Sequence, residues 1–223
     1  MVTPPLEDVD VRPSLIEGLG LFALRPFTAG QRIRRVNVAR EVTAESPIRE
    51  GLGERADHCD YPDGKVVLLG FPDRHVNHSC DPNAYLAYGH GCCYLVARRA
   101  IAAGDEICCD YNLNITGGTA WPCHCGAFRC RGQAAGDFFG LPVEVQREYR
   151  PLLADWFVER HRSRLAALDD SPSGAQLRTQ PNQPPEQPPE AIMPLTGQEP
   201  RQPRPRMTAA FGKESPPVIH RDE

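Results

Sequence analysis

Between Asp10 and Tyr111 the apolar residues come in short runs broken by glycine-containing turns. Leu21–Leu24, Arg32–Val38, Val66–Leu69, Tyr85–Ala87 and Tyr94–Ala97 carry the β-branched and aromatic content of short strands. Turns fall at Glu17–Gly20, Thr28–Gly30, Asp63–Gly64, Gly89–Gly91 and Ala103–Gly104. Strands this closely spaced leave no room for crossover helices, so small mixed or antiparallel sheets are predicted. Thr43–His58 is polar and irregular, with room for a short helix. From Pro142 to Leu168 the period changes. Val145, Tyr149, Leu152, Leu153 and Trp156 fall on one helical face. Pro151 has no N–H to give to a helix interior, which predicts two helices or a kink. The fold class is therefore mainly β with short helices and a C-terminal helical segment.

Composition changes this picture at the C-terminus. Of the 23 prolines, 12 follow Asp169, and Phe211 is the only aromatic there. Stretches such as QPNQPPEQPP (Gln180–Pro189) bury little apolar surface, so residues 169–223 read as a disordered Pro-rich tail. The basic RQPRPR (Arg201–Arg206) is a solvated stretch of that tail. The net charge of −4 argues against general nucleic-acid binding, which needs a face rich in Lys and Arg. No apolar run is long enough to span a bilayer, and the acidic N-terminus lacks a secretory apolar stretch. A cytoplasmic location follows as the expectation (nuclear for a eukaryotic source). In such a reducing compartment nine cysteines point to metal rather than disulfides.

Cys123-His-Cys125-Gly-Ala-Phe-Arg-Cys130 places three thiols close enough to converge on one ion. A structural zinc site takes four ligands. On spacing alone the fourth is open between His124, Cys80 and the pairs Cys92/Cys93 and Cys108/Cys109. Adjacent strand residues point to opposite faces, so neither pair is a natural two-ligand unit, and both fit core or channel positions better. Three further segments stand out. Asn77-His-Ser-Cys-Asp-Pro-Asn83 is too polar for a buried strand and has the residues of an Asx/Pro turn. Gly104-Asp-Glu-Ile-Cys-Cys-Asp-Tyr-Asn112 is a turn feeding a short strand that ends in Asp-Tyr. Glu17-Gly-Leu-Gly-Leu-Phe22 has glycines that allow close backbone approach to a ligand, but no long helix follows, which excludes a dinucleotide fold.

In this order, the four segments resemble the SET-domain protein-lysine methyltransferases with a post-SET zinc segment, over roughly Val11–Gly132. The resemblance implies small curved sheets around a knot-like core, in which His75–Cys80 and Ile107–Asn112 cross. It implies residues 1–10 as a flexible N-terminus, 11–116 as the SET domain, 117–133 as the post-SET segment and 134–168 as a C-terminal helical segment. S-adenosyl-L-methionine would lie against Gly18, Leu19, Gly20, Leu21 and Phe22, mainly through backbone, and against Arg74, Asn77, His78 and Tyr111. Tyr111 would be the catalytic residue. Cys80, Cys123, Cys125 and Cys130 would hold one structural Zn2+, which leaves His124 out.

The activity so implied is methyl transfer to the amine of a lysine in a protein or peptide partner. Asn77, His78 and Tyr111 together favour it over an inactive, zinc-stabilised binding module for a peptide or the cofactor. Many relatives carry Phe or Tyr where this chain has Cys109, which leaves more room beside the reacting amine. The segment Thr43–Lys65, which helps relatives read the peptide, is short. Neither the substrate protein nor the oligomeric state follows from the sequence.

Overall fold

The computed structural model describes residues 8–89 and 91–170, with side chains through Leu168. Residues 171–223, and with them nearly all of the expected tail including Arg201–Arg206, lie outside the described residues. So do residues 1–7.

Short apolar runs become short strands, as their length and turn spacing require. In chain order these are β1 (Val9–Pro13), β2 (Leu19–Ala23), β3 (Arg32–Arg35), β4 (Val38–Val42), β5 (Cys59–Asp60) and β6 (Val66–Leu69). There follow β7 (Asn77–His78), β8 (Ala84–Gly89), β9 (Cys92–Ala97), β10 (Glu106–Cys109), β11 (Trp121–Pro122) and β12 (Gln133–Ala134). They form small sheets in the orders β1-β2-β10-β7, β3-β9-β8 and β4-β6-β5, plus the β11-β12 pair. Most neighbours are antiparallel. The pair that matters for the site is parallel: β10 lies beside β7 with Cys108 opposite Asn77 and Cys109 opposite His78. On its other edge β10 pairs antiparallel with β2. The glycine-flanked loop before β2 and the Asn-His dipeptide of β7 are thus hung on one four-residue strand.

The main core gathers Leu21, Phe27, Leu95, Ile101 and Ile107, with Cys109 among them. A second core belongs to the C-terminal segment, where Phe138, Tyr149, Phe157 and Leu165 pack together. Its helices are α1 (Val143–Tyr149), α2 (Asp155–Arg160) and α3 (Arg162–Asp170). The break falls where Pro151 predicts it: α1 ends at Tyr149 and a single 3-10 turn covers Arg150–Leu152. Val145, Tyr149 and Leu153 are buried on the expected face, while Leu152 and Trp156 are half-buried beside them. The second core is tied to the end of β10 by two asparagines. Asn112 Oδ1 accepts from the Ala135 and Asp137 N–H groups at 3.1 and 3.3 Å, and Asn114 Oδ1 accepts from Ala154 N–H at 2.7 Å.

Several expectations are corrected. Arg32–Val38 is not one strand: it divides into β3 and β4, which belong to different sheets. The reason is Asn37, whose N–H and C=O leave the ladder to bond Asp73 Oδ2 and Gly70 N–H. Asn77-His78 is a strand, and His78, Ser79 and Cys80 are buried, despite their polarity. Their polar atoms find partners inside the protein, which removes the usual cost of burying them. Val9 is 2% exposed and Asp10 follows it in β1, so residues 9–10 belong to the fold. Thr43–His58 contains two single 3-10 turns, Glu50–Leu52 and Ala56–His58.

Candidate active site

The loop before β2 is shaped by its glycines and by one carboxylate. Gly18 sits at φ +46°, in the left-handed region, and a Cβ on Gly20 would stand 2.2 Å from Glu106 Oε1. That carboxylate accepts from Ser14 Oγ at 2.8 and 2.9 Å and from Asn77 Nδ2 at 2.8 Å. Asn77 Nδ2 also reaches the carbonyls of Glu17 and Leu19, each at 3.1 Å. Asn77 therefore fastens the Gly18–Gly20 loop to the β7–β10 crossing. Leu19 is exposed there, but Leu21 is fully in the core and the Phe22 ring is covered by the Arg12 guanidinium at 4.4 Å. Leu21 and Phe22 can offer only backbone to a ligand.

At the other side of the crossing, His78 Nδ1 accepts the Tyr111 N–H at 3.1 Å. The ring proton must then be on Nε2, which faces Cys80 Sγ at 3.4 Å. Burial pulls the His78 pKa down, so the ring is neutral at pH 7. The Tyr111 hydroxyl donates to the Val76 carbonyl at 2.6 Å. Its ring is 40% exposed. Burial of the phenol, first among the causes, pushes its pKa up, so the hydroxyl keeps its proton. Trp121 completes a set of three rings, with its centroid 6.4 Å from both His78 and Tyr111. Arg74 lies on the turn before β7, its guanidinium 6.0 Å over the Phe71 ring and its Nε 3.3 Å from His75 Nε2. It has no carboxylate partner among the described residues.

The Sγ atoms of Cys80, Cys123, Cys125 and Cys130 all lie within 4.8 Å of one another. The Cys80–Cys123 separation is 3.7 Å. Four thiolates around zinc at about 2.3 Å stand about 3.8 Å apart, so the cluster fits a tetrahedral ion. Backbone N–H groups point at the sulfurs: Cys80 N–H at Cys125 and Arg131 N–H at Cys80, both at 3.4 Å. Burial alone would raise the Cys125 pKa, but the N–H donors of Cys80 and Ala127 bring it to about 7. Burial raises the Cys80 and Cys123 thiols, the opposite direction within one cluster. A cation is what would let all four be thiolates together. His124 is exposed, outside the cluster. Cys108 and Cys109 separate as strand neighbours do: Cys109 joins the core, and Cys108 lines a cleft with Cys125. Cys92 and Cys93 lie half-buried in β9.

Four residues escape the sequence reading. Asp110, its side chain 1% exposed, accepts from Arg131 Nη2 at 2.8 Å, Tyr149 Oη at 3.2 Å and Asn112 Nδ2 at 2.7 Å. It joins the thiol segment, α1 and the Tyr111 turn at one carboxylate. Arg131 and Tyr149 are too far from Asp110 in sequence for any spacing signal. Trp121 did carry one: a lone Trp two residues ahead of Cys123.

Residues 18–112 match the family model of the SET domain. The matched residues include both strands of the β7–β10 pairing. Two relatives align over 139 residues. One is "Histone-lysine N-methyltransferase, H3 lysine-4 specific" of Cryptococcus neoformans var. neoformans serotype D, 32% identical over 53% of this chain and 9% of its own length. The other is "Histone-lysine N-methyltransferase 2B" of Homo sapiens, 34% identical over 56% of this chain and 5% of its own. "Histone-lysine N-methyltransferase ash1" of Drosophila melanogaster is 30% identical over 54% of this chain and 6% of its own length. The chain thus spans less than a tenth of these relatives.

Proposed function

We propose that the chain is an S-adenosyl-L-methionine-dependent protein-lysine N-methyltransferase whose active site is built on the β7–β10 crossing. The observation that carries this is the Tyr111 hydroxyl, protonated, exposed on one side and fixed at 2.6 Å by the Val76 carbonyl beside His78 and Trp121. The cofactor would rest against the backbone of Gly18–Phe22 and the Asn77-His78 segment. The Arg74 guanidinium, without a carboxylate partner among the described residues, suits its carboxylate. When bound, it supplies an electrophilic methyl group.

This chain's residues would prepare the nucleophile. A free lysine has a pKa of about 10.4 and is almost wholly charged at neutral pH. The aromatic wall of Tyr111, Trp121 and His78 offers no anion to pair an ammonium group, and desolvation of the amine against these rings would lower its pKa towards the neutral form. The Tyr111 oxygen, its O–H engaged as donor to Val76 O, presents lone pairs that can accept an N–H and so aim the amine. The neutral His78 holds the Tyr111 backbone N–H and thereby the ring's position. Cys80, Cys123, Cys125 and Cys130 would hold one zinc that closes the 121–134 segment over this wall. The nine cysteines, with no disulfide among them, suit a reducing compartment, cytoplasmic or nuclear.

The acceptor would be a lysine side chain in a protein. The relatives' names make histones the first probe. Purified zinc-loaded protein, incubated with methyl-labelled S-adenosylmethionine and either core histones or a lysate of its own source, is expected to label lysine, as read by mass spectrometry. Cofactor binding without label in either mixture would refute the enzyme and leave a binding module.

A further inference from the structure

Val76 supplies the acceptor for the Tyr111 hydroxyl, so what fixes the Val76 carbonyl fixes the hydroxyl. Val76 closes a single 3-10 turn over Asp73–His75, its N–H bonded to the Asp73 carbonyl at 3.1 Å. The Asp73 side chain faces away from solvent, 2% exposed. Its Oδ2 accepts the Asn37 N–H at 2.9 Å, and its Oδ1 stands 2.9 Å from Arg34 Nε on β3. Asn37 grips the same segment twice more, through Nδ2 to the Phe71 carbonyl at 2.9 Å and through its own carbonyl to Gly70 N–H at 2.7 Å. Gly70 makes room for this grip: a Cβ there would stand 2.5 Å from Asn37 Nδ2.

The Arg34–Asp73 pair is a poor stabiliser. The Arg34 side chain is only 7% exposed, yet its Nη1 and Nη2 have no hydrogen-bond partner among the described residues, and Nε is close to Asp73 without the alignment of a hydrogen bond. Burial pushes the Asp73 carboxyl up, against the pull of Asn37 N–H and Arg34. Buried pairs with unmet donors are replaced by apolar residues at little or no loss of stability. What such a pair does supply is a fixed place for the turn it holds.

We infer that Arg34 and Asp73 are positioning residues for the Tyr111 hydroxyl, acting through the 70–76 turn and the Val76 carbonyl. This rests on Tyr111 being the residue that orients the amine. Neither Arg34 nor Asp73 touches the reacting groups, and each acts only by where it puts Val76.

The test is the double variant Arg34→Met/Asp73→Leu, which keeps the volume and removes both charges. It is expected to stay folded and to melt some degrees below wild type, since the Asn37 N–H loses its acceptor while no buried charge is left unpaired. With tyrosine labelled by 13C at Cζ, the Tyr111 resonance, identified by its loss in Tyr111→Phe, should move. kcat on core histones should fall about tenfold or more, with KM for S-adenosylmethionine nearly unchanged, as expected when only alignment is lost. In a Tyr111→Phe background the same pair of changes should cost no further kcat. A folded double variant with an unmoved resonance and wild-type kcat overturns the inference, as does an equal further loss in the Tyr111→Phe background. Should the double variant fail to fold, Asp73→Asn keeps an acceptor for Asn37 and is read the same way. A wild-type protein that transfers no methyl refutes the methyltransferase reading alone, because the resonance decides the positioning without turnover.

Discussion

The Tyr111 hydroxyl has one proton to give and gives it to Val76 O at 2.6 Å. Its lone pairs remain free to accept a hydrogen bond. Removing the oxygen should therefore spoil orientation and little else. Tyr111→Phe is expected to lower kcat about a hundredfold, with a melting temperature close to wild type because the ring is only partly covered. Labelled methyl transfer and a thermal melt check both halves, and unchanged turnover would remove Tyr111 from the proposed role. Tyr111 and His78 were legible from the order of motifs. Asp110 and Arg131 were not, because their meaning lies in an ion pair across 21 positions that no local pattern encodes.

At the scale of elements, strands were read where apolar side chains repeat and missed where polar ones pay their way through bonds. β7 is a strand because Asn77 and His78 spend their polar atoms on the Gly18–Gly20 loop, on Glu106 and on Tyr111. The β3/β4 break was hidden for a similar reason, since Asn37 reads as an ordinary strand residue until Asp73 and Gly70 take its backbone groups. The 121–134 segment has a two-residue pairing of β11 with β12, a handful of apolar contacts around its thiols, and ion pairs from Arg129 to Glu148 and Arg131 to Asp110. It should depend on metal for its order. Cys125→Ser or a strong chelator is expected to lower bound zinc from about one per chain and to raise amide exchange first in this segment; a metal-free protein with unchanged exchange would contradict it. The 46–54 loop depends on charge instead. Arg40, then Arg49, hold the Glu54 carboxylate well below the usual range. A carboxylate with a depressed folded pKa contributes stability above its unfolded value of about 4.3, and that stability is lost as pH falls through the folded value. Amide exchange around residues 46–54 should therefore rise below about pH 4, and Glu54→Gln should show the same loosening at neutral pH.

For the whole molecule, the helical segment was legible as a period change, but its attachment was not. Asn112 and Asn114 look like ordinary loop residues, yet they carry the bonds that dock it onto the end of β10. A chain ending at Leu141 would lose the partners of Phe138, leaving that ring exposed, and strip Tyr149 from Asp110. It is expected to be poorly soluble and inactive, measured by gel filtration and methyl transfer; a soluble, active short form would show the segment to be dispensable. The parallel pairing of β7 with β10 has a last consequence, for the order of events during synthesis. β10 must meet β2, with Ile107 opposite Leu21, and it must also meet β7. Such distant partners make folding slow. Until β10 has left the ribosome the glycine loop has only β1 and Asn77 to lean on, and the thiol cluster waits longer, for Cys130. Before β10 emerges, the nascent chain carries β2 and β7 without this partner and needs shielding from its neighbours. Cofactor and metal, recognising only the finished crossing, would draw that last step to completion by mass action.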